Sequence, residues 1–201
     1  MNYDLEMEKQ MSNLEEGDNL LLHACCAPCS SAVLNRLANF FKISIFYYNP
    51  NITEEEEYQE RINELKRFVS EFKTKYPVEI IEGNYEPEKF MEMAKGLEKE
   101  PERGKRCYKC YELRLEETAK IAEELGFNNF ATTLTLSPHK NANWINEIGE
   151  KLDKKYNSNY LYSDFKKKEG YKKSIELSKE YNLYRQDYCG CIYSKKVKQE
   201  H

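Results

Sequence analysis

Two kinds of apolar pattern alternate along this chain. Short runs with neighbouring apolar residues occur at "NLLLHA" (19–24), "ISIFYY" (43–48), "VEIIEG" (78–83), "NFATTLTL" (129–136) and "NYLYSD" (159–164). They are too brief for helices and predict strands. Between them lie longer stretches in which apolar residues recur every three or four positions. In "PCSSAVLNRLANFF" (28–41), Val33, Leu34, Leu37 and Phe41 keep that spacing, and Pro28 stands near the helix start, where its missing N–H does no harm. Further helices are predicted over 53–71, 87–98, 107–126, 140–156 and 171–182. Thr53 is the expected N-cap of the first of these, with Glu55, Glu56 and Glu57 in a favourable first turn, and Gly126 is the expected C-cap of 107–126.

Strands that lack polar alternation are buried on both faces, and their alternation with helices implies right-handed crossovers. The expected fold class is therefore α/β: a mostly parallel sheet between two helical layers, forming one domain over 19–201. Residues 1–18 read as an acidic, helical N-terminal extension. In open sheets of this kind, ligands bind beyond the carboxyl ends of the strands, where strand order reverses.

At 201 residues with 40% hydrophobic content, the chain is long enough for a substantial core. No apolar run approaches the ~20 residues of a membrane span. The acidic start, "MNYDLEMEKQMSNLEEGDN", lacks the features of a targeting peptide, so the expected location is the cytoplasm, without membrane partners. Seven cysteines in a reducing compartment then call for an explanation. They fall into three groups: Cys25, Cys26 and Cys29 in "HACCAPCS", Cys107 and Cys110 in "RCYKCYELR", and Cys189 and Cys191 in "YCGC". Clustering of this kind points to a metal or redox site.

The predicted elements gather these groups. Cys25 and Cys26 follow the first strand directly. Cys107 and Cys110, three apart, share one face of a helix whose N-terminus favours thiolate. "TLSPHK" (135–140) and Asp164 fall at the ends of two further strands. Charge is uneven: the first hundred residues carry 11 Lys and Arg against 20 Asp and Glu, and the remainder 20 against 15. The basic runs at 103–106, 166–168, 172–173 and 195–198 suit a polyanionic partner or a solvated surface. Two cysteine pairs also suit a closed zinc site, so a zinc-stabilised nucleic-acid-binding module without catalysis is the alternative reading. An ATP-dependent tRNA thiolation enzyme is disfavoured, because no glycine-rich phosphate loop follows the first strand.

"LLHACCAPCS", "RCYKCYELRLEETA", "TTLTLSPHKN" and "SDFKKKEGYKKSIELSKEYNLYRQDYCGCIYS" together closely resemble the QueH family of epoxyqueuosine reductases, in order from about residue 19 to residue 194. The resemblance implies a Rossmann-like three-layer sandwich of the adenine nucleotide α-hydrolase class. It also implies reduction of epoxyqueuosine to queuosine at the wobble position of tRNA, the last step of queuosine biosynthesis, with a [4Fe–4S] cluster and no cobalamin. By position, Cys25, Cys26, Cys107 and Cys110 match the cluster ligands, and Cys189 and Cys191 match a redox-active pair. Cys29 is either a ligand to one additional iron ion or a helix-start thiol without a ligand role. Asp164 and Asp187 are candidate proton donors. His139, Lys140, Arg185, Tyr188, Lys166 and Lys167 are candidate contacts to the modified base and its phosphates. An external electron donor such as a ferredoxin or flavodoxin is implied.

Overall fold

The computed structural model describes the backbone of residues 1–199 and the side chains of residues 1–195. Its strands are β1 (Asn19–His23), β2 (Lys42–Tyr47), β3 (Glu79–Glu82), β4 (Asn129–Thr132) and β5 (Asn159–Tyr160). All pair in parallel, in the order β3-β2-β1-β4-β5. The helices are α1 (Tyr3–Met11), α2 (Ala27–Leu37), α3 (Glu55–Glu71), α4 (Pro87–Ala94), α5 (Lys105–Glu124), α6 (Ala142–Asp153), α7 (Gly170–Glu180) and α8 (Ile192–Gln199).

The run of leucines in β1 explains the layering. Leu20 and Leu22 join a core with Val33, Leu34 and Leu37 of α2 and Ile62 and Leu65 of α3. Leu21, pointing the other way, joins Leu115 and Ala119 of α5 and Ile145 and Ile148 of α6. Both faces are therefore covered, which is why no polar residue alternates into this strand. The sheet is Rossmann-like, and its order reverses between β1 and β4. No helix of the described residues is long and apolar enough to cross a membrane.

Several boundaries differ from the pattern, each for a local reason. The strand expected through 136 stops at Thr132, whose side-chain oxygen accepts the Leu134 N–H at 3.1 Å and turns Thr133–Leu136 into a single 3-10 turn. The run at 159–164 yields only two paired residues, because it lies at the sheet edge. There Gln10 of α1 substitutes for a further strand: its amide donates to the Tyr160 carbonyl and accepts from the Tyr162 N–H, both at 2.9 Å. The N-cap of α3 is Glu54, not Thr53, and the Thr53 N–H instead donates to the Gly190 carbonyl at 3.2 Å. α5 ends beyond Leu125 at Gly126 (φ +74°), where the N–H groups of Phe127 and Gly126 return to the Ala122 and Glu123 carbonyls at 2.8 and 3.2 Å. α8 has no counterpart among the predicted helices.

The acidic N-terminal helix packs closely on the domain. Met7 is fully buried, Asp4 pairs with Arg36 at 2.6 Å, and Glu8 pairs with Lys168.

Candidate active site

The strand-order reversal carries the first thiol group. Cys26 leaves β1 in extended backbone and forms the N-cap of α2, with Cys29 one turn further on. This strand-to-helix turn brings the sulfurs of Cys25, Cys26 and Cys29 within 4.8 Å of one another, Cys25 and Cys26 at 3.7 Å. Hydrogen bonds from its two neighbours hold the Cys25 thiol well below its ordinary range; the same bonds raise Cys29 far above it and push Cys26 up to about 11. The three thiols therefore do not titrate independently.

His23 holds the strands beneath this turn in place. Its ring is fully buried, with Nε2 3.0 Å from the Tyr48 carbonyl and Nδ1 2.9 Å from the Thr132 hydroxyl. A carbonyl can only accept, so Nε2 carries the proton and Nδ1 accepts from Thr132. Burial, with the Arg114 charge adding to it, lowers the histidine to about 3. The neutral ring thus ties the carboxyl ends of β1, β2 and β4 together.

The second thiol group lies on the segment after α7. Cys189 and Cys191 place their sulfurs 3.4 Å apart. The sulfur–sulfur hydrogen bond lowers Cys189 to about 6 and drives Cys191 far upward. Gly190 between them has φ +108°, and a Cβ there would stand 2.8 Å from Ile52 Cγ1. Only glycine suits both the backbone and the space. The first turn of α8 supports the pair: the Ser194 N–H donates to Cys191 Sγ, and Ser194 Oγ accepts the Cys189 N–H, both at 3.4 Å.

Two adjoining cavities connect the groups. The larger, about 350 Å³, is lined by Cys25, Cys29, His139, Lys140, Arg185, Asp187, Tyr188 and Cys189 among others. The smaller, about 50 Å³, is lined by Cys107, Cys110, Cys189 and Cys191. Glu102, Arg114, His139, Lys140 and Cys189 belong to both walls. The helix-end effect expected to favour thiolate at Cys107 and Cys110 is outweighed: burial raises both, Cys110 to about 11. Arg114 is buried, donates to Asn49 Oδ1 at 2.6 Å, and leaves its Nε without a hydrogen-bond partner among the described residues. Asn49 in turn donates to the Ala24 carbonyl at 2.9 Å, next to Cys25. Burial disfavours the Lys140 ammonium, but Cys25 and Cys29 outweigh that and raise it overall. Two cations thus face the sulfurs.

Most of the residues singled out in the sequence meet here; some do not. Asp164 lines neither cavity: its carboxylate pairs with Lys166 at 2.7 Å, and Lys166 also donates to the Thr135 carbonyl at 2.9 Å. Lys167 is exposed. The other basic runs are largely paired, Lys168 with Glu8, Lys172 with Glu169, Lys173 with Glu176 and Lys195 with Glu54. The side chains of Lys196 and Lys198 lie outside the described residues. His139 accepts from Arg103 at 3.0 Å through Nδ1, bringing the 103–106 run to "SPHK". Sequence reasoning missed His23, Arg61, Glu102, Arg114 and Gln186. A polar residue ending an apolar strand signals His23, and an arginine on the apolar face of a helix signals Arg61; Glu102 and Gln186 carry no such mark.

Comparison with known proteins identifies the family. The sequence model of the family described as "Epoxyqueuosine reductase QueH" matches residues 20–197. A protein of that name from Streptococcus pyogenes serotype M1 is 45% identical over 98% of this chain and 79% of its own length. Its namesake from Staphylococcus epidermidis is 48% identical over 96% and 84%, and one from Thermotoga maritima is 34% identical over 87% and 89%. With a family model matching residues 20–197 and relatives 34–48% identical over most of its length, the chain belongs to the epoxyqueuosine reductase QueH family.

Proposed function

We propose that this protein reduces epoxyqueuosine to queuosine at the wobble position of tRNA anticodons, as the last step of queuosine biosynthesis and independently of cobalamin, in the cytoplasm. The observation that carries this reading is the convergence of Cys25, Cys29, Cys107, Cys110, Cys189 and Cys191 on two adjoining cavities in a member of this family.

An all-sulfur donor set facing the buried Arg114 and the half-buried Lys140 suits an iron–sulfur cluster. Cys25, Cys26, Cys107 and Cys110 would hold a [4Fe–4S] cluster, and Cys29 would serve one additional iron. Bound there, the cluster would supply electrons one at a time. Arg114 and Lys140 offset the negative charge that deprotonated sulfurs bring into a buried site.

The remaining chemistry belongs to the chain's own residues. Converting the epoxide to an alkene consumes two electrons and two protons and releases the oxygen as water. Oxidising the Cys189 and Cys191 thiols to one disulfide releases two electrons and two protons, so the half-reactions balance. A ferredoxin or flavodoxin would return the pair to the dithiol. Asp187, in the wall of the larger cavity, is the carboxylate we assign to the departing oxygen; Asp164, held by Lys166, is not given that role. Tyr188 and Arg185 would hold the base, with His139, Lys140 and Lys167 toward its phosphates.

The test is anaerobic purification followed by iron and acid-labile sulfide analysis, with about four sulfides and about five irons expected per chain, the fifth iron being the one assigned to Cys29. Turnover is then assayed on a tRNA stem-loop carrying epoxyqueuosine, with nucleosides identified by mass. Colourless protein with stoichiometric zinc and no turnover would overturn the proposal in favour of a zinc-stabilised module.

A further inference from the structure

The segment bearing Cys189 and Cys191 belongs to no strand, yet side chains from α3 and the loop before it hold it firmly. Arg61, only 1% exposed, is the centre of this arrangement. Its Nε donates to Glu57 Oε1 at 2.6 Å. Its Nη1 and Nη2 donate to the carbonyls of Cys189 and Tyr188, each at 3.2 Å, and its guanidinium stands 5.4 Å from the centroid of the Tyr188 ring. Asn51 donates a second hydrogen bond to the Cys189 carbonyl at 3.1 Å, and the Thr53 N–H takes the Gly190 carbonyl at 3.2 Å. Glu57 extends the hold by accepting the Tyr184 hydroxyl at 2.9 Å.

A buried arginine ordinarily turns its planar fork onto a carboxylate. Arg61 gives Glu57 its Nε–H and directs one N–H from each of Nη1 and Nη2 to two successive main-chain carbonyls. Those carbonyls flank the first cysteine of the pair. A carbonyl bonded by a rigid, buried donor cannot rotate away, so the peptide planes on both sides of Cys189 are fixed.

We infer that Arg61 is a positioning residue for the Cys189–Cys191 pair, holding its backbone, together with Asn51, so that the two thiols face each other. The role rests on the redox reading of that pair given above. Closing a bond between two groups depends on how often they meet in the right orientation, and a fixed backbone raises that effective concentration. Without Arg61, the loop samples conformations in which the sulfurs point apart, and the disulfide becomes harder to form.

The test measures that closure directly, without substrate. Full-length protein is equilibrated anaerobically with mixtures of reduced and oxidised glutathione. One protein dithiol and one oxidised glutathione give one protein disulfide and two reduced glutathiones, transferring two electrons and two protons. After alkylation and trypsin digestion, the fragment 186–195 contains Cys189 and Cys191 and no other cysteine, so its mass reports this pair alone. Arg61→Met should lower the equilibrium constant for disulfide formation by about tenfold, as expected for losing hydrogen bonds to buried carbonyls. That fold-change corresponds to about 30 mV for a two-electron couple. Asn51→Ala, which removes one donor, should lower it by about threefold, and Arg61→Lys should fall between wild type and Arg61→Met.

If the wild-type pair equilibrates but Arg61→Met and Asn51→Ala both keep its constant, the positioning role is overturned while the redox reading stands. If the wild-type pair forms no disulfide at any glutathione ratio, the redox reading falls and the positioning role falls with it. Should Arg61→Met fail to fold, Asn51→Ala and Arg61→Lys decide, and both constants must drop.

Discussion

Two of the three thiol groups, that of Cys25, Cys26 and Cys29 and that of Cys189 and Cys191, are built in opposite ways. Cys25, Cys26 and Cys29 are placed by a strand-to-helix turn only five residues long, so their closeness follows from local backbone geometry. Cys189 and Cys191 sit on irregular chain whose shape is set by Arg61 and Asn51, 128 and 138 positions away from Cys189 in sequence. A site made by a turn survives wherever that turn forms. A site made by distant donors is weakened when any one of them is removed, even though the cysteines remain. That contrast suits the proposed division of labour, with Cys25 and Cys26 as ligands fixed by local backbone beside a pair that must change its bonding in every turnover.

The contrast can be broken most sharply at the sulfurs themselves. Cys25→Ser should abolish bound iron and sulfide, whereas Cys189→Ser should retain both and abolish turnover; loss of iron in both variants would merge the two groups into one. Alkylation rates come next. Because Cys189 is lowered to about 6, its thiolate fraction and alkylation rate should climb about tenfold per pH unit below pH 6 and level off above it. A rate still climbing at pH 8 would mean that Cys191 does not hold the thiolate as described.

His23 probes the local site from beneath. His23→Ala leaves the Thr132 hydroxyl and the Tyr48 carbonyl without their buried partner and should cost about 2–3 kcal/mol in denaturant unfolding. Its sign with pH is fixed. The folded ring resists protonation to about pH 3, while the unfolded ring takes a proton near pH 6.5, so the unfolded state binds more protons between them. This contribution is fully present above about pH 6.5 and is lost as pH falls toward 3, a slope absent from the variant. Gly190→Ala, with its strained φ and its contact with Ile52, should cost about 1–2 kcal/mol and weaken disulfide closure in the distant-donor site. Gln10→Ala, which opens the β5 edge far from either thiol group, should cost about 1 kcal/mol and leave both groups unchanged.

Much of the architecture was legible in the chain. The leucines of β1, the apolar residues of β2 and the spacing in α2 gave the correct elements because burial on both faces leaves an unbroken apolar run. The apolar pattern over 129–136 overextends β4, because Thr132 is as compatible with a strand as with the cap of a 3-10 turn. Of the cysteine candidates, all but Cys26 line the cavities, and Cys26 lies against Cys25 behind the wall of the larger one. Asp164 lines neither, since the short edge strand releases the chain toward Lys166. The basic runs were visible as charge, but whether a lysine faces solvent or a glutamate from another element depends on packing. Lys168 against Glu8 and Lys195 against Glu54 are the cases in point.

By itself, then, the sequence determined the alternation of strand and helix, the turn that gathers Cys25, Cys26 and Cys29, and the family to which the chain belongs. These depend on periodicity and on motifs a few residues long. Only the tertiary structure decided that Cys107 and Cys110 share a cavity with Cys189 and Cys191, that Arg114 and Lys140 face the sulfurs, and that Arg61 grips two carbonyls beside Cys189. The reason is physical. A hydrogen bond to a main-chain carbonyl can be made by any donor that packing brings within reach, and the accepting residue carries no side-chain mark of it.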